Sequence, residues 1–202
     1  MTNLKAILAD PVIRSFISRI EDLYGRMDQV YTDISQAHGF HCQGCEDNCC
    51  KTWFFHHTFL EYLCIMEGCY LLEAKDYEDA LQRARDVIIH VNTYHKTSEA
   101  FRTMCPLNDQ GKCMIYQHRP TICRLHGIHY QFSMPNGAIH QGIGCQAFED
   151  IAKANNVESV LDRTPFYQEM AGLEKELRQR SGFNQPIKMT VAEMLDKQNK
   201  ET

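Results

Sequence analysis

Cysteine is the residue type whose number and spacing most directly suggest chemistry in this sequence. The 202-residue chain contains ten cysteines, and eight of them fall in two cysteine-rich stretches and a Gly-Cys step that follows. We call His41–Trp53 the first cysteine stretch and Cys105–Arg124 the second cysteine stretch. The eight residues are Cys42, Cys45, Cys49, Cys50, Cys105, Cys113, Cys123 and Cys145. We interpret them as ligands of one or two metal centres.

The alternative use of clustered cysteines is a disulfide framework, and the choice depends on the cellular compartment. Disulfides persist in oxidising compartments, whereas in a reducing cytosol clustered thiols more often bind metal. The N-terminal segment has an amphipathic helical pattern and no basic region followed by an apolar block, so we expect no signal peptide. No apolar run approaches the roughly 18 residues of a membrane span. We therefore expect a cytoplasmic protein whose thiols bind metal, without a membrane partner.

The spacing within the first cysteine stretch suits a metal ion or cluster. In Cys42-Gln-Gly-Cys45 two thiolates can converge on one ion from a tight turn, for which Gly44 is well suited. Soft thiolates select zinc, iron–sulfur clusters or monovalent copper over hard cations. Neighbouring side chains tend to point apart, so Cys49 and Cys50 could belong to different sites. Two four-thiolate sites, one cluster with one zinc site, or ligation by only some of the eight all stay open.

Several motifs of the chain together resemble a known family. They are Cys42-x-x-Cys45-x-x-x-Cys49-Cys50, Cys105-Pro106-Leu107, Gly111-x-Cys113-x-Ile115-Tyr116, Arg119-Pro120-x-x-Cys123-Arg124 and Gly144-Cys145. This pattern resembles the YkgJ-type cysteine-cluster proteins, described as a zinc- or iron-chelating domain, whose members tend to carry an acidic residue where Glu61 stands. The resemblance covers about residues 40–150. Flagellin lysine N-methylases are distantly similar and are linked to an iron–sulfur centre and S-adenosylmethionine, but this chain lacks an obvious extra region for that chemistry.

Three further residues of the second cysteine stretch could bind a cofactor. Arg119 and Arg124 flank Cys123 and could neutralise the negative charge of a multi-thiolate site or bind an anionic substrate. Alternatively, Arg119 pairs with Glu61 or with backbone carbonyl groups. Tyr116 could donate a hydrogen bond to a cluster sulfur, or it is an ordinary buried tyrosine.

Histidine is also abundant, with ten residues, and an imidazole nitrogen can ligate a metal. We expect most of the histidines to be core or surface residues. His126 is the first to test, because it follows Cys123 closely in the sequence. The others near the cysteines are His41, His56, His57, His129 and His140.

Helices are predicted around the cysteine stretches. Asp10 suits an N-cap and Pro11 a first helical position, apolar residues recur at helical spacing after them, and Gly39 suits a C-terminus, which predicts a helix over residues 10–38. A buried helix over Thr52–Leu72 should carry Cys64 and Cys69 as core residues.

The remainder of the chain is predicted to be helical apart from one hairpin. Asp76 should cap a helix over residues 77–95, and helices are expected at residues 147–162, 166–180 and 191–198, the last opened by a capping box at Thr190. Asn136-Gly137 predicts a β-hairpin between residues 128–133 and 138–143, the only β-structure expected.

These observations predict a mainly α, single helical domain over residues 1–202 with a small β-hairpin and cysteine-rich metal-binding loops. Its metal-binding core is residues 40–150, flanked by the N-terminal helix 10–38 and C-terminal helices in residues 151–202. The net charge of −5 argues against general nucleic-acid binding. We expect a metal-binding protein that holds iron, as an iron–sulfur cluster, or zinc. The alternatives are a cluster-dependent enzyme (an oxidoreductase or a protein lysine N-methyltransferase) and a metal delivery or sensing protein.

Overall fold

Helices dominate the structure, which confirms the predicted mainly α class. The computed structural model describes residues 4–42, 49–94, 102–155 and 160–201. Its elements are α1 (Leu4–Ala9), α2 (Pro11–Ala37), a 3-10 turn (Cys49–Lys51), α3 (Phe59–Tyr70), α4 (Ala74–Tyr94), β1 (Asn108–Asp109), β2 (Lys112–Cys113), a second 3-10 turn (Tyr116–His118), α5 (Thr121–Arg124), β3 (Tyr130–Ser133), β4 (Ile139–Gly142), α6 (Gln146–Asn155), β5 (Leu161–Asp162), α7 (Thr164–Ser181) and α8 (Val191–Glu201). No helix of the described residues is long and apolar enough to cross a membrane.

Helix α2 has the start and the end that the sequence predicts. The Asp10 side chain accepts hydrogen bonds from the N–H groups of Val12 at 2.7 Å and Ile13 at 3.3 Å, and Pro11 occupies the first helical position. Gly39 follows the helix with a φ of +65°, a conformation that glycine adopts without strain. One apolar face of α2 is buried, and α3, α5 and α7 pack against this helix. The helix therefore spans the core and reaches the second cysteine stretch through α5.

Helix α3 begins later than predicted, so the expected start at Thr52 is wrong. Thr58 Oγ1 accepts from the Glu61 N–H at 3.2 Å and donates to Glu61 Oε2 at 2.9 Å, which is a capping box. Before it, the backbone of His56 exchanges two hydrogen bonds with Met189, at 2.8 and 3.1 Å. The apolar run before Thr58 is thus extended, because the capping box and this pairing stop the helix from extending further back.

The N-terminus of α3 is closed by a carboxylate from α7. Glu174 is buried, and its two oxygens accept the N–H groups of Phe59 at 2.8 Å and Leu60 at 3.0 Å. Arg178 donates to the same carboxylate. We expect Glu174→Ala to lower the free energy of unfolding by about 3 kcal/mol, because two buried donors and one guanidinium lose their acceptor. Urea unfolding measures this.

The matched control for that substitution is Glu176→Ala, two residues later in the same helix. Glu176 pairs with Arg19 and Arg180 at the surface, where an ion pair contributes about 0–1 kcal/mol. Equal losses in the two variants would contradict the capping role of Glu174.

Helices α4 and α8 pack against one another, with Ala80 and Ala84 fully buried. The prediction that Asp76 caps α4 is wrong, because the helix starts at Ala74 and Asp76 lies in its first turn. An acidic side chain there still favours the helix dipole. The capping box of α8 is confirmed, since Thr190 donates its N–H to Glu193 Oε2 at 2.7 Å.

The predicted hairpin is confirmed as β3 and β4, paired in antiparallel register with Ser133 opposite Ile139 and with Gly137 at a φ of +83°. The expectation of no other β-structure is wrong. Strands β1 and β2 form a second hairpin, and β5 pairs in parallel with β3. Helix α6 is described over Gln146–Asn155, and Leu161–Asp162 form strand β5, so the predicted helix over 147–162 is too long. Two-residue strands are too short to show an alternating pattern.

Cys64 and Cys69 are fully buried in α3, as predicted for core residues. Burial, reinforced by the nearby Glu67 carboxylate, raises the pKa of Cys64 to about 12, while an unfolded chain ionises such a thiol near pH 9. The stability that follows from this raised pKa is complete below pH 9 and is lost as the pH rises towards 12.

Serine does not ionise in this range, so Cys64→Ser should be less sensitive to alkali than the parent protein. We expect the difference in unfolding free energy between the two proteins to narrow by about 1 kcal/mol between pH 8 and pH 10. Urea titrations at the two pH values measure it. A difference that stays constant would mean that the Cys64 thiol ionises equally in the folded and unfolded chains.

Candidate metal centre

Described cysteines from both cysteine stretches line one cavity of about 940 Å³; they are Cys42, Cys50, Cys105, Cys113 and Cys123. We call it the cysteine cavity. The Cys105 N–H donates to the Cys50 carbonyl at 2.7 Å, and Thr52 pairs with Arg102 in an antiparallel bridge. The backbone therefore joins the two stretches at the cavity wall.

The hairpin of β1 and β2 places two of these thiols. Asn108 lies opposite Cys113 in the register, and Gly111 turns the chain with a φ of +85°. The sulfur of Cys105 accepts a backbone hydrogen bond from Leu107, and the sulfur of Cys113 accepts one from Ile115. Each bond lowers the pKa of its thiol, because an N–H directed at sulfur stabilises the thiolate, which is the form that binds metal.

Burial opposes that effect and dominates it. It raises the pKa of Cys105 to about 12 and also raises the pKa values of Cys113 and Cys123. Negative charge on neighbouring thiols, including Cys50, raises these pKa values further. The four sulfurs therefore lie within electrostatic range of one another. The raised pKa values of Cys105, Cys113 and Cys123 favour their protonated forms, and a bound cation would displace those protons.

Cys123 lies in α5, whose position is set by a carboxylate from α3. Glu61 is buried, and its Oε1 accepts the N–H of Thr121 at 2.8 Å, while Oε2 belongs to the capping box of α3. Glu61, the acidic residue noted from the sequence, thus positions α5. It joins the start of α3 to the short helix that carries Cys123.

Arg124 fixes the same segment from the other side. Its buried guanidinium donates to the carbonyl of Arg119 at 2.8 Å, to the carbonyl of Gln117 and to the Asp28 carboxylate. It lies 4.1 Å from the centre of the Tyr24 ring. Sequence reasoning missed Asp28. The sequence feature that could have indicated Asp28 is its position, four residues after Tyr24 on the inner face of α2.

The other two predicted cofactor-binding residues also line the cysteine cavity. Arg119 donates to Asp28 at 3.2 Å and stacks on the Tyr116 ring, 3.7 Å from its centre. The alternative that Arg119 pairs with Glu61 is wrong, because Glu61 binds Thr121. Tyr116 is 53% exposed, so it is not an ordinary buried tyrosine.

Of the three remaining predicted ligands, Cys145 is the one whose side chain the structure describes. Cys45 and the side chain of Cys49 lie outside the described residues. Cys145 donates its N–H to the Gly127 carbonyl at 3.0 Å, and its sulfur lies 3.8 Å from the position that a Cβ on Gly127 would occupy. Cys145 therefore lies beside Gly127, and the hydroxyl of Tyr31, a residue that lines the cavity, is close to the same glycine.

Three of the six histidines named from the sequence line the cysteine cavity, and the other three do not. His41, His56 and His126 line the cysteine cavity, whereas His57 and His140 are exposed and His129 contacts Glu149 at 2.7 Å. His126 lies edge-on to Phe54, with ring centres 5.6 Å apart. Burial lowers the pKa of His56, which favours its neutral form.

The spacing of the described thiols is wider than a single ion requires. A zinc ion with bonds of about 2.3 Å to sulfur holds its thiolates within about 4 Å of one another. Among the described residues, no three cysteine sulfurs lie within 4.8 Å of one another. A cluster with several irons holds its thiolates farther apart than a single ion does.

Comparison with protein-family models, with curated proteins and with solved structures finds no match for this chain.

Proposed function

We propose that this chain is a metal-binding protein that holds an iron–sulfur cluster or zinc through thiolates of the two cysteine stretches. The observation that carries the proposal is the convergence of Cys42, Cys50, Cys105, Cys113 and Cys123 on one cavity. The resemblance to YkgJ-type cysteine-cluster proteins stays a prediction and agrees with this proposal.

The charges around the cavity support a thiolate site. Four thiolates around Zn²⁺ or around a doubly charged cluster carry an excess of negative charge. Arg119 and Arg124 line the cavity, and the Arg83 guanidinium lies close enough to Cys105 to lower its pKa. Asp28 pairs with both lining guanidinium groups, and the three arginines near the thiols carry one more charge than the carboxylates of Asp28 and Glu61 together, which leaves positive charge to offset the thiolates.

Between the two metals, we rank the cluster first, because no three described cysteine sulfurs lie within 4.8 Å of one another, as a single zinc ion would require. A bound cluster would supply one-electron redox chemistry, and zinc would supply structural closure or Lewis acidity. The residues of this chain would play the same role for a cluster and for zinc. The chain brings thiols to one cavity, directs the N–H groups of Leu107 and Ile115 at two of the sulfurs, and places the guanidinium groups of Arg119 and Arg124 in the cavity wall.

Elemental analysis combined with a visible absorption spectrum, on protein purified without oxygen, tests the proposal. Iron with acid-labile sulfide and broad visible absorption supports a cluster. Colourless protein with about one or two zinc ions per chain supports a zinc site. Protein without stoichiometric metal after reconstitution with either one would overturn the proposal.

A second candidate is an enzyme whose metal centre faces a substrate, and the size of the cavity favours it. The cavity extends past the thiols along α2 at Thr32, Ser35 and Gln36 and is walled by Trp53. A catalytic metal site keeps an open position, whereas a structural site is fully coordinated. Cyanide added to the metal-loaded protein separates the two cases. Spectral change indicates an open position, and an unchanged spectrum supports the binding role alone.

A further inference from the structure

We propose that Glu21, Glu67 and His118 form a second site, for a single divalent cation, separate from the cysteine cavity. The three residues come from α2, α3 and the 3-10 turn Tyr116–His118, and are distant in sequence. One ligand atom of each lies within 4.8 Å of the ligand atoms of the other two. Three separate elements thus bring two carboxylates and an imidazole to one place.

The hydrogen bonds formed by these three residues leave ligand atoms that are available to a cation. Glu67 Oε1 pairs with Arg14, but Glu67 Oε2 is buried and has no hydrogen-bond partner. In the described parts of the chain, neither the Glu21 carboxylate nor the His118 ring has a side-chain hydrogen bond. A buried carboxylate oxygen without a donor is costly, and a second carboxylate beside it adds repulsion. A divalent cation would relieve both.

The geometry requires only a small adjustment. Two ligand atoms that are each about 2.0–2.2 Å from one ion lie at most about 4.4 Å apart. Side chains within 4.8 Å of one another reach that spacing by moving a few tenths of an ångström. Glu21 is exposed, so the outer coordination positions of the ion would face water.

His118 is held in place independently of any ion. Its backbone N–H donates to the Ile115 carbonyl at 2.8 Å. Its side chain lies directly on Gly68, where an added Cβ would come within 2.7 Å of the His118 Cβ. Since Gly68 directly follows Glu67 in α3, the glycine allows the imidazole to approach the carboxylate closely.

The donor set decides the class of ion. Two carboxylate oxygens and one imidazole nitrogen suit Mn²⁺, Fe²⁺ or Zn²⁺, whereas the cysteine cavity offers soft sulfur. Mn²⁺ is the best probe, because hard Mn²⁺ discriminates against thiolates. The 3-10 turn Tyr116–His118 lies between Cys113 and Cys123 in the sequence. An ion bound at this site would link that turn to α3.

Titration of the purified full-length protein with Mn²⁺, with free Mn²⁺ followed by electron paramagnetic resonance, tests the site. We expect one saturable site, weakened at least tenfold by Glu67→Gln and by Glu21→Gln. Glu21 is exposed, so the second variant keeps the fold. Arg14→Gln removes the cation that competes for Glu67 and should strengthen binding. Asp22→Asn, the neighbouring carboxylate in α2, is the control and should bind as the parent does.

Two further results bear on the separation of the sites. Cys123→Ser should keep Mn²⁺ binding, whatever metal the cysteine cavity holds. The proposal is overturned if the parent shows no saturable Mn²⁺ binding, or if Glu21→Gln, Glu67→Gln and Asp22→Asn all bind alike. A loss in Cys123→Ser with no loss in Glu67→Gln would assign the ion to the thiols.

Discussion

We expect that replacing Cys123 by serine will remove most of the metal bound by the proposed site and lower the melting temperature, whereas Cys64→Ser will leave the metal content unchanged. Cys123 lies on the wall of the cysteine cavity, within electrostatic range of Cys50, Cys105 and Cys113. A hydroxyl is a poor ligand for soft metals, so its substitution removes one thiolate from the site. Since the free energy of metal binding adds to that of folding, the stability falls with the metal content.

Cys64→Ser is the matched control because both cysteines lie in helices and both substitutions exchange sulfur for oxygen, while Cys64 does not line the cavity. Metal per chain, measured by elemental analysis, and the melting temperature are compared for the parent and the two variants. Equal metal content in all three proteins would remove Cys123 from the ligand set. Equal loss in both variants would mean that the metal depends on the packing of the fold alone.

The second large effect is expected from Asp28→Asn. This change takes the charged acceptor from the Arg124 guanidinium, whose side chain is only 2% exposed, and from Arg119. A buried charge that loses its partner costs about 3–5 kcal/mol. Because Asp28 itself is 34% exposed, water offsets part of that cost, and we expect a loss of about 2–3 kcal/mol in the free energy of unfolding. Urea unfolding measures the change.

Asp33→Asn is the control for this prediction, since Asp33 lies on the same helix and accepts a hydrogen bond from Gln29 at the surface. It should cost less than about 0.5 kcal/mol. A double-mutant cycle with Arg124→Gln isolates the pair: a double variant less destabilised than the sum of the single variants indicates direct coupling. Additive losses would mean that Asp28 and Arg124 act through separate contacts.

Features that depend on neighbouring residues were predictable from the sequence. The start of α2 follows from Asp10-Pro11, the hairpin from Asn136-Gly137 and the start of α8 from Thr190 and Glu193, because each signal acts within four residues. Prediction was wrong where distant parts of the chain decide the outcome. The backbone pairing of His56 with Met189 keeps the segment before α3 extended, and no local pattern in either segment indicates it.

The same distinction applies to the candidate site. The thiols were recognisable from their type and spacing, and the cavity gathers five of the eight proposed ligands. The contacts that position them were not recognisable. Asp28 lies 96 residues from Arg124, and Glu61 lies 60 residues from Thr121. Since one sequence does not show which charges meet across such distances, Asp28 was not among the partners considered for Arg119.

The hydrogen bond from the Cys105 N–H to the Cys50 carbonyl has a consequence for how fast and how tightly a metal binds. An ion that had to collect thiols from a freely moving chain would have to close the whole loop between these residues, at a cost in chain entropy that increases with loop length. Here the loop is already closed by backbone pairing. Under the proposed function, this part of the site would be formed before the metal binds. Less chain entropy would then be lost on binding, and the loading rate would depend more on the entry of the ion and the release of protons.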